Sequence, residues 1–339
     1  MKRFTTIMSM VCLVFAMSLA TACGGGDKAT TGGEVDLMSM IPENASGVMA
    51  VNFKKIVGLE LFDQMIEKAK AEEPKEGAPF KSYEDFIAKT GIDPKKDVYG
   101  MAVGIMGEMK ASQEPDVVAV MNISYDKAKI MAIIEERKAE IKEFSTEPYE
   151  GIDVFNFKDD KGKDMGFSFV NDGLVAIGKK EALKQVIDLS KGKGKSVMDN
   201  ADKKTLFKQL NGDAVMSFMF ELPEEAKKVQ GEGSPFKVDL SKAESVLGFV
   251  DYAPGAWKGE LKMLAQDEAT NQQIAQVLNS LKGFGAMAGP EVGELVNNIN
   301  ITSAADHIKV DFTISDELVK KLQEMAKKKA ASAMAQPTE

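Results

Sequence analysis

Both cysteines of this 339-residue chain, Cys12 and Cys23, lie near its N-terminus. Everything after Cys23 must therefore fold without a disulfide and without a thiolate to hold a metal, which leaves apolar packing and backbone hydrogen bonding to build it. The residues around the two cysteines have the layout of a secretory signal. Lys2 and Arg3 make a positive start, Ile7 to Ala20 is uncharged and rich in Met, Val, Leu and Phe, and Ala22 is a small residue at the position for cleavage. The apolar stretch is short for a bilayer span, and no later segment is long and apolar enough to make one.

The run Thr21-Ala22-Cys23-Gly24-Gly25-Gly26 resembles the cleavage site of bacterial lipoprotein signals. It departs from them at one position: they prefer Leu three residues before the cysteine, and Ala20 stands there, with Leu19 one further back. The resemblance implies cleavage after Ala22, a diacylglycerol on the Cys23 thiol and acylation of the new amine, so that residues 1–22 are lost. Two or three acyl chains anchor a protein stably, since each buried methylene contributes about 0.8 kcal/mol. Gly24 replaces the Asp that favours inner-membrane retention in enteric bacteria, so the resemblance points to the outer membrane, facing the periplasm. Residues 23–34 are Gly- and Thr-rich and read as a flexible tether.

The formal net charge is −9, and it falls to −11 once Lys2 and Arg3 are gone. Such a balance argues against nucleic acid as a partner and against electrostatic docking on anionic lipid.

Along the rest of the chain, apolar runs bounded by turn residues predict strands at residues 48–53, 98–105, 117–123, 153–157, 165–170 and 174–177. Helices are predicted around Leu59–Ala69, Tyr83–Ile87, Ile130–Ile141 and Leu183–Ile187 from apolar residues recurring on one face, which in the third is made of Ile130, Ile133, Ile134, Arg137 and Ile141, with Ser124 able to cap that helix. The order then partly repeats. A strand at 214–220, a hairpin at 245–252 and 257–264, a helix at 274–281, and strands at 299–302 and 307–314 feeding a helix at 318–325 follow the same sequence of parts. The expected fold is α+β: two divergent copies of a mainly antiparallel sheet with helices packed on one face, over residues 35–210 and 211–330, followed by a disordered tail at 331–339.

Three phrases add a second resemblance. Thr90-Gly91-Ile92-Asp93-Pro94, Tyr149-Glu150-Gly151-Ile152-Asp153-Val154-Phe155 and Gly173-Leu174-Val175-Ala176-Ile177-Gly178 resemble recurring stretches of uncharacterised exported bacterial lipoproteins, over roughly residues 41–192. Those proteins carry no assigned activity, so the resemblance implies architecture and location alone. Each phrase also has a local reading: Gly91 stops a helix, Asp93-Pro94 turns the chain, and Glu150-Gly151 turns it tightly into a strand.

Catalytic chemistry finds few candidates. His307 is the sole histidine, and strand alternation puts it on the polar face with Lys309, Asp311 and Thr313, opposite Ile308, Val310 and Phe312. Lys191-Gly192-Lys193-Gly194-Lys195-Ser196 has the look of a phosphate loop, but Leu189 occupies the position where that motif needs its first Gly, and the run follows a helix. The acid pairs Glu135-Glu136, Glu224-Glu225 and Asp316-Glu317 fall in helices, and Asp159-Asp160 at a hairpin tip. Asp159, Asp160 and Asp164 are interrupted by Lys161 and Lys163, which disfavours a Ca²⁺ site. Met38 and Met40 lack the histidines that would support copper. Of the 21 methionines, Met49, Met101, Met121, Met165, Met216, Met219 and Met263 fall in predicted strands and Met106 just after one, which suits either adaptable core filling or a lining for an apolar guest.

The sequence therefore predicts a membrane-anchored, non-enzymatic binding or scaffold protein of the cell envelope. No catalytic residue, metal site or cofactor is expected. Cys23 is the lipid attachment residue and Ala22 the last residue of the signal. The expected partners are the membrane, through the lipid, and an envelope protein or apolar ligand. The alternative is a periplasmic carrier of a lipid or other apolar ligand held between sheet and helices.

Overall fold

A computed structural model describes residues 36–71, 80–109, 114–159, 161–227, 240–265, 267–287 and 289–334. Ala22, Cys23 and the tether lie outside the described residues, as do residues 335–339. The described chain divides into two units, the first running to Lys208 and the second beginning at Gln209.

The first unit contains, in chain order, β1 (Ala45–Asn52), α1 (Glu60–Ala71), α2 (Tyr83–Thr90), β2 (Val98–Met106), β3 (Asp116–Ile123), α3 (Lys127–Arg137), β4 (Ser145–Tyr149), β5 (Ile152–Lys158), β6 (Asp164–Asn171), β7 (Leu174–Lys179), α4 (Lys180–Ser190) and α5 (Ala201–Phe207). Its strands pair antiparallel in the order β1-β2-β3-β7-β6-β5-β4. Turn chemistry sets this order. Glu150 and Gly151 both adopt positive φ, at 50° and 77°, the two-residue loop whose twist matches a hairpin, and so join β4 to β5.

Helices cover both faces of this sheet, where one was expected. The apolar residues of β3 explain it, because Val118 and Val120 point one way, Ala119 and Met121 the other, and all four are buried. On one side α4 lays Ala182, Leu183, Val186 and Ile187 against β3, β6 and β7. Leu183 fits there because Gly166 has no side chain; a Cβ on Gly166 would meet its Cδ2 at 3.0 Å. On the other side lie α2 and α3, with Ile141 packed on Ala119, Phe157 and Ile177.

The second unit contains β8 (Met216–Glu221), β9 (Ala243–Ala253), β10 (Ala256–Ala265), α6 (Glu268–Ala286), α7 (Pro290–Asn297), β11 (Ile299–Ser303), β12 (His307–Ser315) and α8 (Asp316–Met334). Its antiparallel order is β8-β9-β10-β12-β11. Helix α6 lays Ile274, Ala275 and Leu278 on Met263, Ile301 and Ile308. The opposite face of β10 and β12 carries a ladder of ion pairs, Lys262–Glu260 at 3.1 Å and Lys309–Asp311 at 3.0 Å, so among the described residues α6 covers the apolar side of these strands. Asn271 is fully buried, and its amide donates to the carbonyls of Ala304 and Ala305 at 3.1 and 3.2 Å, tying α6 to the β11–β12 turn.

The two units share one plan. In each, a first strand pairs with a hairpin, the third strand pairs with the last, and the last leads straight into a helix. The first unit adds β4 and β5 beyond β6. A disordered tail was expected from Ala331, but α8 runs on to Met334 through Ala and Lys, which are strong helix formers.

Candidate ligand-binding site

The first unit holds a cavity of about 110 Å³ between α2 and α3 on one side and β3, β6 and β7 on the other. Its wall is built by the helical face of α3, where Ile130, Ile133, Ile134 and Arg137 recur at the three- and four-residue spacing of one stripe. Asp126 starts that helix, accepting from the backbone N–H groups of Ala128 and Lys129. Ser124, the expected cap, is engaged elsewhere: its hydroxyl lies 2.9 Å from that of Tyr99 and its N–H donates to Asp97.

The floor comes from alternate residues of three strands, Met121 and Ile123, Val175 and Ile177, Phe167 and Phe169. Aromatic rings stiffen it. Phe167 meets Phe169 edge-on at 6.0 Å and stacks on Phe155 at 4.8 Å, and Phe80 meets Phe86 edge-on at 5.0 Å beside α2.

The polar groups in this lining are few. Thr90 donates its hydroxyl to the Phe86 carbonyl at 2.7 Å, and Tyr125 donates to the Asn171 carbonyl at 2.6 Å. Burial, with the Asp172 charge adding to it, pushes the Tyr125 phenol up to about 12, so it stays neutral. Arg137 is different: its Nη1 is buried and has no hydrogen-bond partner among the described residues. The geometry offers an apolar niche with a single cationic donor in its wall, suited to binding.

Methionine does not make this cavity. Met121 lines it, whereas Met101 and Met219 are buried elsewhere, and isoleucine and phenylalanine supply most of the surface. Sequence reasoning put Arg137 on the right helical face and gave it no role. One signal was present: the chain has two arginines, Arg3 and Arg137, against 41 lysines.

The other candidate residues have structural partners. His307 faces Asp306, Nδ1 to Oδ1 at 2.7 Å, and this bond holds the Asp306 carboxyl below the usual range. The Lys191–Ser196 run closes α4: Gly192 adopts a φ of 72°, its N–H donates to the Leu189 carbonyl, and that of Lys193 donates to the Asp188 carbonyl, so these two amides serve the helix end. Asp159 accepts from the N–H groups of Lys161 and Lys163, Asp164 pairs with Lys158 at 2.8 Å, and Asp160 lies outside the described residues. Glu224 pairs with Lys227 and Glu317 with Lys321, while Asp316 accepts from the Tyr252 hydroxyl at 2.6 Å. Among the described residues, no three His, Cys, Asp or Glu side chains gather as a metal site, and no helix is long and apolar enough to cross a membrane.

No protein-family model matches the chain, and no curated protein matches it. It is similar to crystal structures of TP0453. Crystal form I is 11% identical with a TM-score of 0.49, over 86% of this chain and 98% of that one. Crystal form III is 10% identical with a TM-score of 0.48, over 84% of this chain and 96% of that one. Crystal form IV is 10% identical with a TM-score of 0.46, over 85% and 96%.

Proposed function

We propose that this chain is a lipid-anchored, non-enzymatic binding protein of the bacterial cell envelope that seats an apolar group in its first unit. The cavity between α3 and the β3-β7-β6 floor carries this reading. It is lined by side chains whose transfer from water is favourable, and an apolar guest would gain the contacts that a void forfeits. The anchor rests on Cys23 and its Gly-rich surroundings, and the outer-membrane location on Gly24.

Native mass spectrometry of protein purified from the periplasm without detergent, with Cys23→Ser to prevent acylation, tests the binding. A reproducible added mass, lost when the cavity is filled by Ile133→Phe, is the expected result. A bare mass together with unchanged isoleucine methyl spectra on adding 1-butanol, whose four carbons suit the cavity's size, would overturn it.

A second reading, docking of an envelope protein on the second unit, is favoured by Leu281, Phe284 and Met287. These lie three residues apart on α6 and just past its end, and are 46%, 63% and 83% exposed. Cross-linking in cells checks it. An unchanged pattern after Leu281→Ser with Met287→Ser would remove this reading.

A further inference from the structure

We infer that the guest of the first unit is a small alkyl acid, with its alkyl end in the cavity and its carboxylate or phosphate on Arg137; the inference rests on the cavity being a ligand site. Three observations meet at this residue. First, in a chain that otherwise uses lysine after its signal, the one remaining arginine stands in the cavity wall. A guanidinium is a planar fork that matches the two oxygens of a carboxylate or phosphate, which an ammonium does not. Second, Nη1 is buried without a partner among the described residues, although acids are close in sequence; Glu135 pairs with Lys138 instead. A buried, permanently charged donor left unsatisfied is costly, and an arriving anion removes that cost. Third, the hydroxyls of the lining, on Thr90 and Tyr125, already donate to backbone carbonyls, so the Arg137 guanidinium is the donor left to choose the ligand's polar end.

Size narrows the class further. A cavity of about 110 Å³ is smaller than the roughly 150 Å³ that holds benzene, and admits about four groups the size of a water or methylene. The buried part of the ligand is therefore a short or branched alkyl group, with the acid at its end.

The full chain carrying Cys23→Ser, which brings no acyl chain of its own, is titrated with pentanoate, butyl phosphate and 1-butanol while isoleucine methyl resonances are followed. Butanol is expected to bind, and one of the two acids to bind at least about tenfold more tightly. Preference for pentanoate assigns a carboxylate head, and preference for butyl phosphate a phosphate. Arg137→Gln should abolish the preference and leave butanol binding unchanged, which also shows that the variant is folded. Arg137→Lys should restore part of it. Equal binding of acids and alcohol by the unsubstituted site, or a preference that survives Arg137→Gln, overturns the inference and leaves the apolar site standing. If none of the three probes binds, both readings fall.

Discussion

The Tyr125 hydroxyl donates to the backbone carbonyl of Asn171 across 2.6 Å, joining the start of α3 to the β6–β7 turn at the cavity's rim. Its phenol is pushed from 10.0 up to about 12 by burial, with Asp172 adding to the effect. A group whose folded pKa is raised stabilises the fold fully below its unfolded pKa and loses that contribution as pH rises through the folded value. Stability should therefore fall between pH 10.0 and about 12 as the unfolded chain ionises first. Tyr125→Phe should flatten this part of the pH profile, cost about 1 kcal/mol at neutral pH, and remove one late-titrating phenol from the ultraviolet titration.

Ile134 is 8% exposed and faces the cavity from α3. Ile134→Ala should destabilise the protein by about 2–5 kcal/mol in a denaturant titration, through lost burial and a larger void. The same substitution should bring the cavity to a size that holds benzene. Added benzene should then raise the variant's melting temperature more than that of the parent, because a ligand that binds only the folded state stabilises it by mass action.

Strands bounded by strong punctuation were legible in the sequence. Asn171-Asp172-Gly173 separates β6 from β7, Pro254-Gly255 separates β9 from β10, and the alternation from Ile308 to Ile314 gave β12 its two faces. What was missed was either polar or short. Strand β4 reads Ser-Thr-Glu-Pro-Tyr, with a proline that an edge position tolerates, and α7 is short and contains Gly293. The cavity was illegible for another reason: its residues come from two helices and three strands, and periodicity describes each element alone. Arg137 shows the limit well, since the spacing that placed it beside Ile130, Ile133 and Ile134 carries no information on what its guanidinium meets across the gap.

In the second unit, Asn271 is the residue whose loss should matter most for its size. Its side chain is fully buried, and its amide reaches three backbone carbonyls, those of Ala304, Ala305 and, at 3.4 Å, Ala265. Asn271→Ala removes the donor and leaves those acceptors buried, at a cost of about 1–3 kcal/mol. Asn271→Asp should be worse, because it places a charge among carbonyl oxygens. Denaturant unfolding gives the magnitude, and amide exchange should localise the loosening to the N-terminal part of α6 and the β11–β12 turn.

Cys23 gives the sharpest test of location. If the thiol carries a diacylglycerol, the protein should sediment with membranes, label with an alkyne-bearing fatty acid, and yield an N-terminal peptide that begins at residue 23 with the acyl mass attached. Each chain adds about 0.8 kcal/mol per buried methylene, so two or three chains hold the protein firmly whatever its acidic surface does. Cys23→Ser should abolish the label and the sedimentation together while leaving the binding properties of the first unit unchanged, because the residues that line the cavity run from Phe80 to Ile177. A soluble protein with an unlabelled Cys23 at its N-terminus would mean that Ala22 precedes an ordinary secretory cleavage. Membrane sedimentation that survives Cys23→Ser would instead shift attention to the exposed apolar residues at the end of α6.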